Sequence, residues 1–493
     1  MSFSLNPADF VHLAPVLFLT VWACLVLLAS AIGGGHGRHY GLLAILGLIL
    51  SGLGVALSWV QHVQPATDLF AGMMVVDRFA LFLDMIFIIA GILTALVADA
   101  YLEEHRFTEG EFFALLLLSI SGMMMMVHAG DLVMFVIGLE TMSLAIYALV
   151  ASWPGQRRSA EAGFKYFLMG AVASAFLLYG IALLYGVTGT TNLAKLAGVI
   201  NGKAGEPLVL VGMFMILGAM GFKVALVPFH MWTPDAYEGA PTPVTGFMAA
   251  AVKAAGFGAL LRLVAGLFSA DAWTFGSTGW INIFWVLSVL TMTIGNISAL
   301  RQNNVKRMLA YSSIAHAGYL LIGVVVVGLD PSQMGAVLFY VVAYAVTTLG
   351  AFAVVAWIGS RDVERTTLED WYGVAKHHPA VALAMMLFLF SLGGLPPTAG
   401  FFAKFYLFKA ALSFDSPQML TLVLIAIANS VVSMYYYLRP IVAMYFREGA
   451  SAPKPLTSFS VYWVLGITSA LVLILGMAPD ATLAWAAQAL MGG

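Results

Sequence analysis

The sequence predicts an all-α integral membrane fold, a single polytopic domain over residues 1–493 with about fourteen transmembrane helices. Two internal repeats are expected, one over 111–266 and one over 278–446, each with a discontinuous helix. Three observations lead there: the composition, the recurrence of apolar runs of bilayer length, and two proline-rich interruptions inside such runs. Hydrophobic residues make up 61% of the chain and charged residues 9%, and the mean hydropathy is +0.95. A soluble domain has about 25% charged residues, so a soluble chain of this composition would lack the polar surface to cover its core.

A span requires roughly 20 apolar residues to cross about 30 Å of hydrocarbon. Runs of that kind fall at 11–31, 40–61, 79–99, 111–128, 131–152, 161–187 and 207–228. The second half repeats the series at 243–266, 278–300, 305–328, 332–359, 379–412, 418–446 and 457–478. Turn residues separate many of them: Gly33-Gly34-Gly35, Trp153-Pro154-Gly155, Asp330-Pro331 and Ala452-Pro453. No stretch is long and polar enough to form a soluble domain, and with no basic residue before the first run, no cleavable signal peptide is expected.

Orientation follows from the basic residues of the loops. Odd-numbered loops hold Arg38, Arg106, Arg157, Arg158, Arg301, Lys306, Arg307, Arg361, Arg365, Lys376, Arg447 and Lys454; the opposite side holds Arg78, Lys195, Lys203, Arg262 and Lys409. Twelve against five places both termini away from the cytoplasm.

Other ionisable residues fall inside the spans. Lys165, Lys223, Lys253 and Lys404 do so, with Glu140, His230 and His316 in or beside them. Glu140 is nine residues beyond Asp131, roughly 13.5 Å deeper and close to the midplane. Lys253, ten residues into Pro243–Arg262, lies at similar depth. A charge at the centre of a helix costs roughly 2.5–3.5 kcal/mol on insertion scales. The competing reading is structural ion pairing or snorkelling to the interface. Depth removes snorkelling for Glu140, Lys223 and Lys253; Lys165 lies near a span end, where both readings stand. Among the ten histidines, His128, His230 and His316 are the candidates for membrane depth.

Two segments break their helices. One is Lys223-Val-Ala-Leu-Val-Pro228-Phe-His230-Met-Trp-Thr-Pro234, continuing to Pro241-Thr-Pro243; the other is Ser391-Leu-Gly393-Gly394-Leu-Pro396-Pro397, continuing to Lys404. Proline removes a backbone donor and clashes with the preceding turn. In a bilayer the freed carbonyls need other partners, so breaks near 223–243 and 391–404, each with a lysine, point to ion or proton passage at a repeat interface. Burial disfavours the charged form of lysine and glutamate alike, and histidine titrates near neutrality without help. Glu140 with Lys223 would form a carboxylate–amine switch. Lys253, His316 and Lys404 would continue it through bound water, with Tyr311, Ser312 and Ser313 as water-holding or simply interhelical groups.

Other chemistry is excluded by what is missing. The single cysteine, Cys24, permits neither an internal disulfide nor a four-cysteine iron–sulfur site. No phosphate-cradling GxxxxGK[ST] loop or dinucleotide fingerprint is present. A net charge of −2 argues against a nucleic-acid partner. Energy for transport would come from a partner or an ion gradient.

Four stretches carry a resemblance: Gly138-Leu-Glu140-Thr-Met-Ser143, Arg157 to Lys165-Tyr-Phe, Gly221-Phe-Lys223 through Pro243, and Lys306-Arg-Met-Leu-Ala-Tyr-Ser-Ser-Ile-Ala-His316. They resemble the antiporter-like membrane subunits of respiratory complex I and, more widely, the multisubunit cation/proton antiporters. Within the first group the pattern is most similar to the N type, the counterpart of mitochondrial subunit 2. The chain ends soon after the fourteenth span without the lateral helix of L. It carries Lys404 where M has glutamate, and the run from Lys165 to Gly180 is N-like.

The resemblance implies proton translocation coupled to quinone reduction elsewhere in an NADH:quinone oxidoreductase. On that match Glu140 and Lys223 are the fifth- and seventh-span pair, and Lys253 and Lys404 the eighth- and twelfth-span lysines. Lys165 is a sixth-span lysine, and His230 and His316 lie within matching motifs. It implies no redox centre in this chain, with FMN, iron–sulfur clusters and quinone in other subunits. It implies subunits M and K as neighbours, and a multi-pass place in a bacterial inner membrane with both termini periplasmic. A cation/proton antiporter subunit and a non-conducting spacer are the alternative readings.

Overall fold

The structure, a computed structural model, describes residues 7–489 except 62–65, 106, 202, 204, 268–279, 360–363, 449–455 and 457. Arg106, Arg361, Lys454, the Ala452-Pro453 turn, and the starts of the runs at 278 and 457 lie outside the described residues.

The fold is a bundle of helices that follows the expected runs in order. The first half contains α1 (Ala14–Gly33), α2 (His39–Gln61), α3 (Arg78–Glu104), α4 (Glu109–Val127), α5 (Leu132–Val150) and α6 (Arg157–Thr188). The interrupted α7 follows as α7a (Pro207–Lys223) and α7b (Trp232–Gly239). Next, α8 consists of Thr242–Phe247, a π-helical turn Met248–Val252, and Lys253–Leu267. Then come α9 (Trp280–Leu300), α10 (Val305–Leu329), α11 (Met334–Ile358), α12a (Pro379–Gly393), α12b (Ala399–Leu412), α13 (Pro417–Phe446) and α14 (Phe459–Met477). Among the described residues, twelve helices are long and apolar enough to cross a membrane. The other two expected spans are the interrupted ones, whose apolar first pieces, Pro207–Lys223 and Pro379–Gly393, are shorter. Local signals set several starts: Asp77, Asp131 and Asn304 cap α3, α5 and α10 by accepting from backbone N–H groups one turn in.

These helices are apolar on every face, so amphipathicity does not tell which of them form the core. Packing does. α8 is wholly enclosed and α10 and α11 nearly so, whereas α1, α6 and α9 leave much of their surface outside. Two antiparallel pairs approach backbone to backbone. Gly122 of α4 meets Gly138 and Met142 of α5, and Gly318 of α10 meets Met292 of α9. Small residues at a crossing are how helices pack closely in lipid, where apolar burial supplies no net drive. A feature the apolar runs do not forecast is a short hairpin, Ala66–Leu69 with Met74–Val76, between α2 and α3. It is anchored by the Val75 N–H donating to His128 O at 2.8 Å.

Both breaks fall within the proline-rich segments. After α7a, Ala225 adopts a left-handed φ of 61°. The Trp232 indole then donates to Phe222 O at 3.0 Å, and the Val227 N–H donates to Thr291 Oγ1 at 3.1 Å. After α12a, Gly394 takes φ 88°, and the N–H groups of Gly394 and Leu395 both donate to Phe390 O, at 2.9 and 3.0 Å. The freed backbone groups are thus satisfied by protein, as a bilayer demands. Of the prolines in the two breaks, Pro234 is buried, whereas Pro228, Pro396 and Pro397 lie on the outer surface of the chain. A proline nitrogen has no hydrogen to satisfy, so an outward position leaves no donor stranded.

Candidate functional site

Glu140, Ser143 and Tyr147 share one face of α5 at helical spacing. Lys223, the last residue of α7a, sends its ammonium group to that face. It donates to Ser143 Oγ and, at 3.4 Å, to Tyr147 Oη, and lies 5.3 Å from the Tyr147 ring centroid. The Glu140 carboxylate, at the edge of that face, accepts instead from Ser174 Oγ of α6. The carboxylate and the amine therefore do not form a direct ion pair. Ser143, one turn from Glu140, lies on the lysine's side. Glu140 occupies a half-exposed edge between α5 and α6, whereas Lys223 is only 6% exposed. An aromatic panel closes this site, with Tyr166 stacked on Trp232 at 4.1 Å and edge-on to Tyr147 at 4.6 Å.

Lys253 follows the π-helical turn of α8, a device frequent at functional positions. Its ammonium group donates to the backbone oxygen of Ser313 on α10 and lies 6.0 Å from the Tyr344 ring centroid. Ser312, the adjacent residue, bonds the hydroxyl of Tyr437. That hydroxyl is 3.3 Å from His316 Nε2, and His316 Nδ1 is 2.7 Å from Tyr340 Oη. From Lys253 to Tyr340 the polar groups thus run Ser313, Ser312, Tyr437 and His316 with no wide apolar gap. Lys404 stands at the far end. It donates to Leu392 O at 3.2 Å, Gly393 O at 3.0 Å and Ser430 Oγ at 2.6 Å. It also sits 5.1 Å from the centroid of Tyr319, whose ring meets His316 edge-on at 5.7 Å.

No hydrogen bond joins Lys223 to Lys253. The two sites nevertheless approach, because Gly256, three residues beyond Lys253, packs against Val224 and lies beside the Lys223 carbonyl. The remaining expected residues are placed elsewhere. Lys165 is exposed and paired with Glu161 at 2.8 Å and Asp235 at 3.2 Å. Asp235 in turn pairs with Arg307 at 2.8 Å, so Lys165 belongs to a surface charge network. His230 is half-buried in the α7 break, and among the described residues no hydrogen bond joins its ring to a lysine.

Several participants carry no charge and were missed in the sequence: Ser174, Tyr147, Tyr340, Tyr437 and Ser430. Only Tyr147 had a usable signal, its seven-residue spacing from Glu140.

Among the described residues, Lys223, Lys253 and Lys404 are 4–6% exposed and none has a carboxylate within ion-pair distance. Lys306 is the contrast, fully buried and paired with Glu364 at 2.7 Å. Enclosed lysines held only by neutral oxygens, beside two broken helices, define a membrane subunit of the proton-translocating class.

Residues 129–430 match the family described as "NADH:quinone oxidoreductase/Mrp antiporter, TM". NADH-quinone oxidoreductase subunit N 1 of Sorangium cellulosum is 44% identical over 509 residues, covering 98% of each chain. Subunit N of Trichlorobacter lovleyi is 42% identical over 486 residues, covering 96% of each. A chain of respiratory complex I from Thermus thermophilus superposes with a TM-score of 0.80 at 32% identity, over 95% of this chain and 98% of that one. A chain of the Mrp complex from Dietzia sp. shares the fold, with a TM-score of 0.83 at 21% identity over 97% and 96% of the two chains. The chain therefore belongs to the NADH:quinone oxidoreductase/Mrp antiporter family and, within it, to the subunit N group.

Proposed function

We propose that this membrane-arm subunit of NADH:quinone oxidoreductase moves protons along Glu140, Lys223, Lys253, His316 and Lys404, with Lys165 and His230 flanking that line. The observation that carries the proposal is the trio of enclosed lysines with no carboxylate at ion-pair distance among the described residues. A lysine bonded only to hydroxyl and carbonyl oxygens can take up or lose a proton without abandoning a carboxylate partner to burial. At Lys253 the Ser313 carbonyl can only accept, so it orients the ammonium group but cannot pass its proton on. Transfer then runs through water to the Ser312 and Tyr437 hydroxyls. His316 sits between two tyrosine hydroxyls, so a proton arriving at one ring nitrogen can leave from the other.

The backbone-close α4/α5 and α9/α10 pairs, each followed after one further long helix by a broken one, support the division into repeats at 111–266 and 278–446. On this reading FMN, the iron–sulfur clusters and quinone lie in other subunits, and subunits M and K are the neighbours. The site is a bacterial inner membrane, with both termini periplasmic. A cation/proton antiporter subunit is the second reading; against it stands the higher sequence identity to subunit N chains, 44% and 42%, than to the Mrp chain, 21%.

The test is the purified assembly in vesicles. Co-purification of NADH-oxidising subunits and NADH-driven acidification that Lys253→Met abolishes are expected. An assembly without those subunits, exchanging sodium for protons, would favour the second reading.

A further inference from the structure

Outside the line of lysines, a second pair of enclosed ionisable groups joins α3 to the end of α4. His128 Nε2 lies 2.8 Å from Asp84 Oδ2, and the two side chains are 2% and 1% exposed. His128 Nδ1 lies 2.8 Å from the backbone oxygen of Val75. A carbonyl only accepts, so Nδ1 carries a hydrogen. A neutral ring then has its lone pair at Nε2 and must meet a protonated Asp84; a charged ring donates from Nε2 to a carboxylate. Either way one proton resides in the His128–Asp84 bond, and removing it would set two lone pairs against each other. Asp84 Oδ1, the other carboxyl oxygen, is buried with no hydrogen-bond partner among the described residues. A buried oxygen in that state calls for a water or a proton.

The pair is held in place by the helix that carries Lys253. Arg262 of α8 grips Asp77 through two bonds of 2.6 and 2.9 Å. It also donates to the backbone oxygen of Val127, the residue before His128, at 3.1 and 2.8 Å. Leu83 and Val127 pack at Gly258, five residues beyond Lys253, or about 7.5 Å along the helix axis. Asp77 and Arg262 neutralise each other, so the charge of the Asp84–His128 pair is set by its own protons.

We propose that Asp84 and His128 form a further proton-holding site of this subunit, exchanging a proton with Lys253 through water that reaches Asp84 Oδ1. In the forward step an N–H bond at Lys253 Nζ breaks and an O–H bond forms at Asp84 Oδ1. The ammonium becomes an amine, and the pair passes from neutral to singly positive as imidazolium beside a carboxylic acid. Nothing is oxidised or reduced.

The inference rests on the reading that this chain moves protons, and the test separates the two. Asp84→Asn preserves size and a hydrogen bond to His128 but carries no exchangeable acid. In the assembled complex in vesicles, NADH-driven pumping by this variant should fall about tenfold or more and lose its dependence on pH in the neutral range. Asp84→Glu should recover a large part of both. Unchanged pumping by Asp84→Asn, or a glutamate variant no better than the asparagine one, overturns the proposal. Failure of Asp84→Asn to assemble would make the pair a structural staple, which also overturns it. Lys253→Met in the same preparation supplies the separation: if it too pumps normally, the relay itself fails, and not only this site.

Discussion

Lys404 Nζ lies 3.0 Å from the carbonyl oxygen of Gly393, so the lysine that follows the break in α12 holds the end of the helix piece that precedes it. The last carbonyls of a helix have no intrahelical donor and carry the negative end of its dipole. In α7 the lysine is itself the last residue before the break and reaches away, to Ser143 and Tyr147 of α5. The two breaks therefore hold a lysine in different ways. Lys404 couples its charge to the join between α12a and α12b, whereas Lys223 couples its charge to a neighbouring helix.

From that difference, Lys404→Met should lose more than proton transfer. It removes one donor each from Leu392 O, Gly393 O and Ser430, while Ser430 Oγ still donates to Gly393 O at 3.4 Å, so a loss of about 1–3 kcal/mol is expected. Thermal unfolding of the purified complex should begin earlier than in the parent, and pumping should be lost. Lys404→Arg restores donors but holds its proton at any accessible pH. Stability should return with it and pumping should not.

Glu140→Gln tests whether the carboxylate matters when it does not touch Lys223. The amide oxygen can still accept from Ser174, so the complex should assemble in normal amount. With the ionisable group gone, NADH-driven pumping should fall about tenfold or more. Normal pumping in an intact variant would make Glu140 a structural contact between α5 and α6.

Lys165→Ala is expected to do little. Its partners, Glu161 and Asp235, are exposed or half-exposed, and exposed ion pairs are screened and weak. Pumping should stay within about twofold of the parent. A loss as large as that of Lys253→Met would return Lys165 to the relay.

How much of this was readable from the residues depends on what carried the signal. Spans, breaks and enclosed lysines were readable because a charge or a proline in a long apolar run has no ordinary reason to be there. That Glu140 and Lys223 reach each other only across Ser143, without a direct ion pair, was not readable, because helical depth gives a residue's level but not the direction of its side chain. Ser174 and Tyr437 escaped notice because hydroxyl residues are common in transmembrane helices and become informative only when a lysine or histidine points at them. The Asp84–His128 pair escaped for a different reason. Its members are 44 residues apart in sequence and meet only because α3 and α4 run antiparallel.

Charge type at the central site separates a relay from a static charge. Lys253 is enclosed, touches the Ser313 carbonyl and faces Tyr344, with no carboxylate at ion-pair distance among the described residues. A purely electrostatic role needs only the positive charge, which Lys253→Arg keeps. A relay needs a group that gives up its proton and takes it back, which arginine does not do at accessible pH. Lys253→Met should therefore abolish most turnover, and Lys253→Arg should assemble without regaining the full rate. Coupled NADH oxidation and vesicle acidification, each normalised to the amount of assembled complex, decide between the two roles. An arginine variant as fast as the lysine parent would mean that the charge at this position is fixed and that protons pass elsewhere.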